Sequence, residues 1–549
     1  MVLENSMLAK YIRNIKSSPR ALIANHHLLL TCALFSLAGV PLCWDQGSSA
    51  TIPSLPGFQR DFGITSATNP GQVSNFVTLI YIGAGTGAGL SALLNDRIGR
   101  LWSLRLYSFI WIIGQLIVVG SRGNIATLYA GRIVSGFGTG PLTVIGPVSL
   151  VEIAPSEIRG LLTSWFSVAL LLSLFVAAFT VYGCLLNVAT SSLQWQIPFF
   201  APAIFMTFVI AASFFVCESP RWLFLEGRDE EGTRNLVKLR GLPLDHPRLQ
   251  SELQDIQASV IKEKASFGAA KTYSFKGLGA VLREIFLVKA NLRRTQQACI
   301  SYALAQLSGA NSITTYLVPV LGLIGIKGDA HYSLLVAALY SMSKFFYTVI
   351  ASFLLIDAIG RRNSLFTGII IQGISDIYIG IYVKFNQAEG SLPTAAGQAA
   401  LAAIFLHGFG YAIGLLVLPY VFVSELWPNH IRSFGAALTQ FFHWWFFFGV
   451  NKGIPSLLQQ TNNWGAFIFF AAWCFLALIY TFCVVPETAG VPLEKLDELF
   501  EGPWWNTWKR SKTAASFPVV IEGSNNDDTD SRITVESAKQ TTKDIEREV

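Results

Sequence analysis

Long apolar stretches separated by short polar turns run from Leu28 to Val485, and their pattern predicts the architecture before any single residue is weighed. They fall near 28–45, 74–94, 101–120, 125–151, 160–186, 197–217, 297–325, 332–356, 364–384, 396–424, 434–457 and 464–485. A hydrocarbon core roughly 30 Å thick is crossed by about 20 apolar residues in a helix, which is the size of each stretch. The stretches are continuous rather than alternating with period two, so helices are expected and a barrel is not. The fold class predicted is an all-α membrane protein with twelve transmembrane helices.

Composition agrees. Of 549 residues, 52% are hydrophobic and 13% charged, against roughly a quarter charged in soluble domains, and mean hydropathy is +0.47. A soluble globular protein is excluded. The net charge of +6 is scattered over connecting segments and forms no basic stripe, so no nucleic-acid partner is expected. Its placement orients the chain: Lys10, Arg13, Lys16 and Arg20, then Arg97, Arg100, Arg159, the basic 221–294 region, Arg361, Arg362 and Arg432 fall on one side. The positive-inside rule puts that side, and both termini, in the cytoplasm. The first apolar run lacks a small-residue cleavage site after it and is expected to be retained as a helix.

The predicted organisation is a cytoplasmic N-terminus (1–27), a six-helix half (28–217), a charged cytoplasmic linker (218–296), a second six-helix half (297–485) and a cytoplasmic tail (486–549). The tail's polar composition predicts disorder after about residue 511. Seven cysteines (Cys32, Cys43, Cys184, Cys217, Cys299, Cys474, Cys483) lie in or at the edge of apolar runs without metal-ligand spacing, so they read as packing residues and no metal site is predicted.

The halves repeat each other. Asp96-Arg97-Ile-Gly-Arg100 is echoed by Asp357-Ala-Ile-Gly-Arg361-Arg362, Glu152-Ile-Ala-Pro-Ser-Glu-Ile-Arg159 by Glu425-Leu-Trp-Pro-Asn-His-Ile-Arg432, and Glu218-Ser-Pro-Arg221 by Pro486-Glu487-Thr488. Three motifs recurring at nearly one offset imply duplicated six-helix bundles that can rock about a central cavity. The acidic and arginine positions of these motifs are predicted to form ion pairs that close the cytoplasmic face and break when it opens.

Together with Gly131-Arg132, Glu218-Ser-Pro-Arg-Trp-Leu223, Gln306-Leu-Ser-Gly-Ala-Asn311 and Pro486-Glu-Thr-Ala-Gly490, these motifs resemble the sugar porter family of the major facilitator superfamily over about residues 28–500, in a style similar to fungal members. The resemblance implies the major facilitator fold, two pseudo-symmetric bundles, and secondary transport of a sugar, polyol or related hydroxylated compound.

Ionisable groups inside spans are functional candidates because burying one in lipid costs several kcal/mol. The sequence reading counts Asp45, Arg132, Lys344, His407 and His443. Asp45 and Arg132 match the family's proton-coupling aspartate and arginine. A carboxylate loaded and unloaded beside a movable guanidinium suits proton symport. Lys344 suits an acidic substrate such as quinate, or is a packing residue with a snorkelling head.

Sugar hydroxyls both donate and accept, so amides and aromatic faces are expected around them. Gln306 and Asn311 match two family amides, Tyr316 an aromatic by the exit path, and Tyr420 and Trp444 two further aromatic positions. The lining also departs from the family pattern. Ala305 and Ser167 replace glutamines, and His443 stands where asparagine is common, which weakens the case for an ordinary hexose. No paired carboxylates, nucleophile–base set or phosphate loop occurs, so neither an enzyme nor an ATP-driven pump is expected, and no cofactor. The predicted partners are the small substrate, protons and the lipid bilayer, for a monomer in the plasma membrane. Alternatives are a carrier of quinate-like acids or a specialised metabolite, and, less favoured for its short tail, a sugar sensor.

Overall fold

The computed structural model describes residues 19–65, 68–267, 275–325, 330–355, 360–389, 393–416, 427–428 and 431–485, and these are largely helical. Lys10, Arg13, Lys16, the gate positions Asp357, Glu425 and Glu487, the aromatic Tyr420 and the tail from 486 lie outside the described residues.

Ten helices among the described residues are long and apolar enough to cross a membrane: Arg20–Ser54, Pro70–Ile98, Arg100–Val119, Ile125–Ile153, Arg159–Asn187, Leu193–Phe215, His331–Phe353, Arg361–Ala388, Thr394–Leu416 and Trp464–Cys483. They are spans one to six, eight, nine, ten and twelve. Span eleven, Arg432–Gln460, is as long but carries Gln440, His443, Asn451 and Lys452, which dilute its apolar character. Span seven, expected as one run, is divided into Lys289–Leu307, Ala310–Thr315 and Leu317–Leu323. Gly309 sits at the first division with φ 79°, a conformation that costs other residues strain. All twelve transmembrane helices of the predicted fold are thus accounted for.

Other spans are also irregular. Span one tightens at Leu37–Gly39 just before Pro41. Spans eight and ten finish in π-helical turns, Ala351–Leu355 and Ala412–Leu416, the kind of widened turn often found at functional sites. Apolar side chains such as Leu30, Phe208, Ile374, Phe475 and Phe482 cover the outer surface, as a protein in lipid requires.

Close packing comes from glycine. Spans two and four meet through Gly83, Gly87, Gly136 and Gly140, with backbone against backbone. A methyl group at Gly140 would collide with the carbonyl of Ala84. Gly140→Ala is therefore expected to destabilise the folded carrier by about 2 kcal/mol, read as a lower unfolding midpoint in detergent. An unchanged midpoint would show that the two spans can separate freely. Between the halves, span two runs along span eleven and span five along span eight.

Between spans six and seven the described residues form four further helices, Pro220–Leu225, Asp229–Arg240, Pro247–Phe267 and Phe275–Leu287. Asp229–Arg240 has acids in its first turn, bases in its last and Gly241 in the left-handed conformation after it, so its ends complement the helix dipole. It docks on the N-terminal half: Arg240 donates to the Ile153 carbonyl at 2.8 Å and Asn25 to the Lys238 carbonyl at 2.6 Å.

Candidate transport site

Span one brings Asp45 to the middle of the N-terminal half, where span four delivers Arg132. The pair is bidentate: Arg132 Nη1 bonds Asp45 Oδ1 and Nη2 reaches Oδ2 at 3.0 Å. Both side chains are buried, 0% and 3% exposed. Arg132 is further anchored by Nε to the Phe76 carbonyl at 2.8 Å and Nη2 to the Val77 carbonyl at 3.3 Å, and Ser49 donates to Asp45 at 3.1 Å. The guanidinium would thus keep two carbonyl acceptors when the carboxyl takes up a proton.

One residue beyond Asp45, Gln46 enters a cavity shared by the two halves. Its lining includes Cys43, Leu170, Leu171, Tyr302, Gln306, Asn311, Lys344, Tyr411, His443 and Trp444. A single directed hydrogen-bond chain crosses it. Gln46 donates to Asn311 (3.3 Å), Asn311 to Gln306 (3.0 Å), and Gln306 Nε2 meets His443 Nε2 (3.2 Å). His443 Nδ1 meets Gln440 Oε1 (3.1 Å), and Gln440 donates to Tyr302 (2.9 Å). Because Gln440 Oε1 only accepts, Nδ1 carries the imidazole hydrogen and Nε2 accepts from Gln306, which makes His443 neutral here. Asn311 also donates to Tyr411 at 3.0 Å.

Aromatic faces complete the wall. His443 stacks between Tyr302, centroids 4.2 Å apart, and Trp444, 4.8 Å apart. Trp444 is fixed by its donation to Thr143 of the other half at 3.2 Å. Lys344 is 2% exposed and donates to Thr314 at 2.9 Å, with its ammonium 5.2 Å from the Tyr411 ring centroid and 5.7 Å from that of Tyr340. No carboxylate among the described residues pairs with it.

The remaining predicted lining residues lie elsewhere. Ser167 is buried on span five, but Leu170 and Leu171 form that wall. Tyr316 stands away from the chain of amides, where its hydroxyl meets Ser74 of span two at 3.4 Å and the Asn451 carbonyl at 3.1 Å, bridging the halves.

At the charged end of the N-terminal half, Arg100 holds Glu152 through Nε (2.9 Å) and Nη2 (2.6 Å), and Asp96 through Nη1 (2.8 Å). Glu218 accepts the backbone N–H groups of Arg100 (3.2 Å) and Leu101 (2.9 Å), capping span three, while Ser219 donates to Glu152 at 2.8 Å. Arg221 pairs with Glu263 between two linker helices, and Glu157 with Arg248, which ties the linker to this end. Arg159, Arg361 and Arg432 are also engaged in interactions, and in the C-terminal half Arg362 donates to the Phe482 carbonyl at 2.7 Å. Arg97 is exposed. The ion pairs named here lie within the N-terminal half, within the linker or between the two. The acids that the motifs place on the C-terminal half, Asp357, Glu425 and Glu487, lie outside the described residues.

Burial pushes the Glu218 carboxyl above the usual carboxylate range, opposed by its backbone N–H donors and Arg100 and helped by Glu152. A raised carboxyl contributes stability that is full below the ordinary range and is lost as pH climbs through the raised value. The wild type is therefore expected to gain thermal stability on acidification from neutral pH toward 5, and Glu218→Gln to lose most of that gain. Equal pH slopes in the two proteins would contradict this.

Sequence reasoning missed several residues. Gln46, Tyr302 and Tyr411 line the cavity, Gln440 bonds the lining residues His443 and Tyr302, and Asp376 of span nine, Lys452 of span eleven and Arg105 of span three are ionisable groups inside spans that it did not count. The signal for Asp376 was present, as an acid within an apolar run.

Two six-helix halves enclosing a polar midplane cavity, with a buried ion pair beside it, define a membrane carrier of the major facilitator architecture. The chain belongs to the Sugar (and other) transporter family, whose profile matches residues 31–500. It is similar to the quinate permease of Emericella nidulans, 29% identical over 498 residues, or 89% of this chain and 92% of the relative. It is also similar to a probable quinate permease of Aspergillus flavus, 30% identical over 492 residues, 88% and 90% of the two chains. Among solved structures, the proton:xylose symporter XylE bound to 6-bromo-6-deoxy-D-glucose superposes with a TM-score of 0.72 at 20% identity, covering 87% of this chain and all of that one. The inward-open XylE of E. coli gives 0.63 at 20% identity over 86% and 99%. These likenesses establish the fold.

Proposed function

We propose that the protein is a proton-coupled uptake carrier for a small hydroxylated compound, and that the compound carries a carboxylate, as quinate does. The observation that carries this reading is Lys344, a buried cation on the cavity wall with one hydrogen bond to Thr314 and no carboxylate partner among the described residues. An ammonium has three donors, so two remain for a substrate carboxylate. The amides of Gln46, Gln306 and Asn311 suit ring hydroxyls, and the quinate permeases among its relatives support the substrate class. A second reading, a neutral sugar or polyol, is favoured by the same amides and aromatic faces.

Proton coupling is assigned to Asp45, which binds the proton as Arg132 turns to its carbonyl acceptors. The moving bodies are the halves 28–217 and 297–485, joined by the linker 218–296, with Tyr316 between them on one side and the arginine–acid clusters on the other. The carrier works as a monomer in the plasma membrane with both termini cytoplasmic, without cofactor, metal or covalent step.

The test is uptake of labelled quinate, glucose, xylose and a polyol by yeast lacking its own hexose carriers, at two external pH values, with and without a protonophore. Protonophore-sensitive accumulation of quinate supports the reading. Accumulation of glucose or xylose alone selects the neutral-sugar reading, and failure of all four by protein present at the cell surface overturns both.

A further inference from the structure

Behind the cavity, Asp376 of span nine and His407 of span ten face each other, both wholly buried, with His407 Nε2 3.4 Å from Asp376 Oδ2. The same Nε2 lies 3.1 Å from the Ser308 carbonyl oxygen. A carbonyl only accepts, so Nε2 carries a hydrogen and donates it there. Ser308 is the residue at which the first segment of span seven ends, next to the left-handed Gly309. Its hydroxyl is held from the other side by Gln372 Nε2 at 3.1 Å.

A helix that stops inside the membrane strands carbonyls that no water can satisfy. His407 supplies a donor at that point. The angle at the break sets where Gln306, two residues before Ser308, stands relative to Asn311, three residues after it, and these amides bond each other across the cavity wall. Neither oxygen of Asp376 has a hydrogen-bond donor, and His407 Nδ1 has no partner. A bare carboxylate in such a place is strongly disfavoured, so the pair stays net neutral, the imidazole keeping its Nε2 hydrogen and one further proton sitting on the Asp376 carboxyl or on Nδ1. The other titratable groups facing Asp376 are Tyr340 of span eight and Cys474 of span twelve, both neutral hydrogen-bearing side chains at ordinary pH.

We propose that His407, set against Asp376, is a positioning residue, which fixes the break in span seven through the Ser308 carbonyl and thereby holds Gln306 and Asn311 at their working separation. The inference rests on the transport reading only in taking those amides as substrate ligands; the brace itself does not depend on it.

The test compares purified wild-type protein with His407→Phe, which keeps a ring but no donor, and His407→Gln, which keeps an N–H donor without the imidazole. Amide hydrogen exchange is followed over residues 304–312. His407→Phe is expected to exchange about tenfold faster there, as the loss of one buried hydrogen bond implies, and His407→Gln to remain within about twofold of wild type. For the transported compound, KM should rise roughly tenfold in His407→Phe with maximal rate per molecule changed less than about twofold, and His407→Gln should recover it. Unchanged exchange in His407→Phe, or no rescue by His407→Gln, overturns that role. If His407→Phe is not recovered folded, His407→Leu takes its place in the same comparison. Should the wild type transport none of the compounds offered, the functional reading fails while the exchange measurement still decides the brace.

Discussion

Asp45→Asn is expected to abolish concentrative uptake while exchange of labelled for unlabelled substrate continues. Asparagine retains one acceptor for Arg132, whose bonds to the Phe76 and Val77 carbonyls are untouched, so the half keeps its shape. What disappears is the group that takes a proton in and releases it. A gradient of one pH unit supplies about 1.4 kcal/mol, and each charge moved through 100 mV about 2.3 kcal/mol. A neutral sugar moved with one proton can draw on both, so its accumulation reaches several hundredfold. A monoanion moved with one proton carries no net charge across the membrane, so only the pH difference acts and accumulation stops near tenfold per unit. In Asp45→Asn the ratio should fall to about one for a neutral substrate and well below one for a monoanion, which an inside-negative potential expels once no proton accompanies it. Unchanged accumulation would refute the proton role of Asp45. Collapsing the membrane potential at constant pH difference should leave quinate accumulation as it was, and a large drop would mean that net charge moves with the substrate.

Lys344→Met is expected to weaken transport of acidic substrates by roughly 30- to 100-fold in KM, the loss of a buried charge-assisted hydrogen bond worth about 2–3 kcal/mol. Methionine fills much of the same volume and keeps contact with Tyr340 and Tyr411, so neutral compounds should change by less than about threefold. The measurement is competition between quinate and a neutral polyol of similar size. An equal loss for both would make Lys344 a packing residue, with Thr314 and the two rings as its structural partners.

The twelve helices were legible because each apolar run matches the bilayer, and the repeated motifs made the two halves visible. Span seven was misjudged as one helix because Gly309 and Ser308 lie within an otherwise apolar run, and hydropathy does not register a φ of 79°. The closeness of Asp45 and Arg132 was implied by family likeness; no local pattern joins residues on different spans. Gln440 and Gln46 escaped because an amide becomes meaningful only through its neighbour, here His443 for one and Asn311 for the other. Asp376 and His407 show the same limit: each is visible alone, but their approach and the donation from His407 to the Ser308 carbonyl are tertiary facts.

The cavity between the halves holds about 30 Å³, room for one or two water molecules and far below the several hundred Å³ of ordinary ligand sites. In this arrangement the amides of Gln46, Asn311 and Gln306 bond each other and fill the space between the halves. An empty carrier that shuts down so far is an electrical insulator. It can turn between its two faces without letting protons slip down their gradient, so the ion gradient is drawn upon only when substrate props the walls apart.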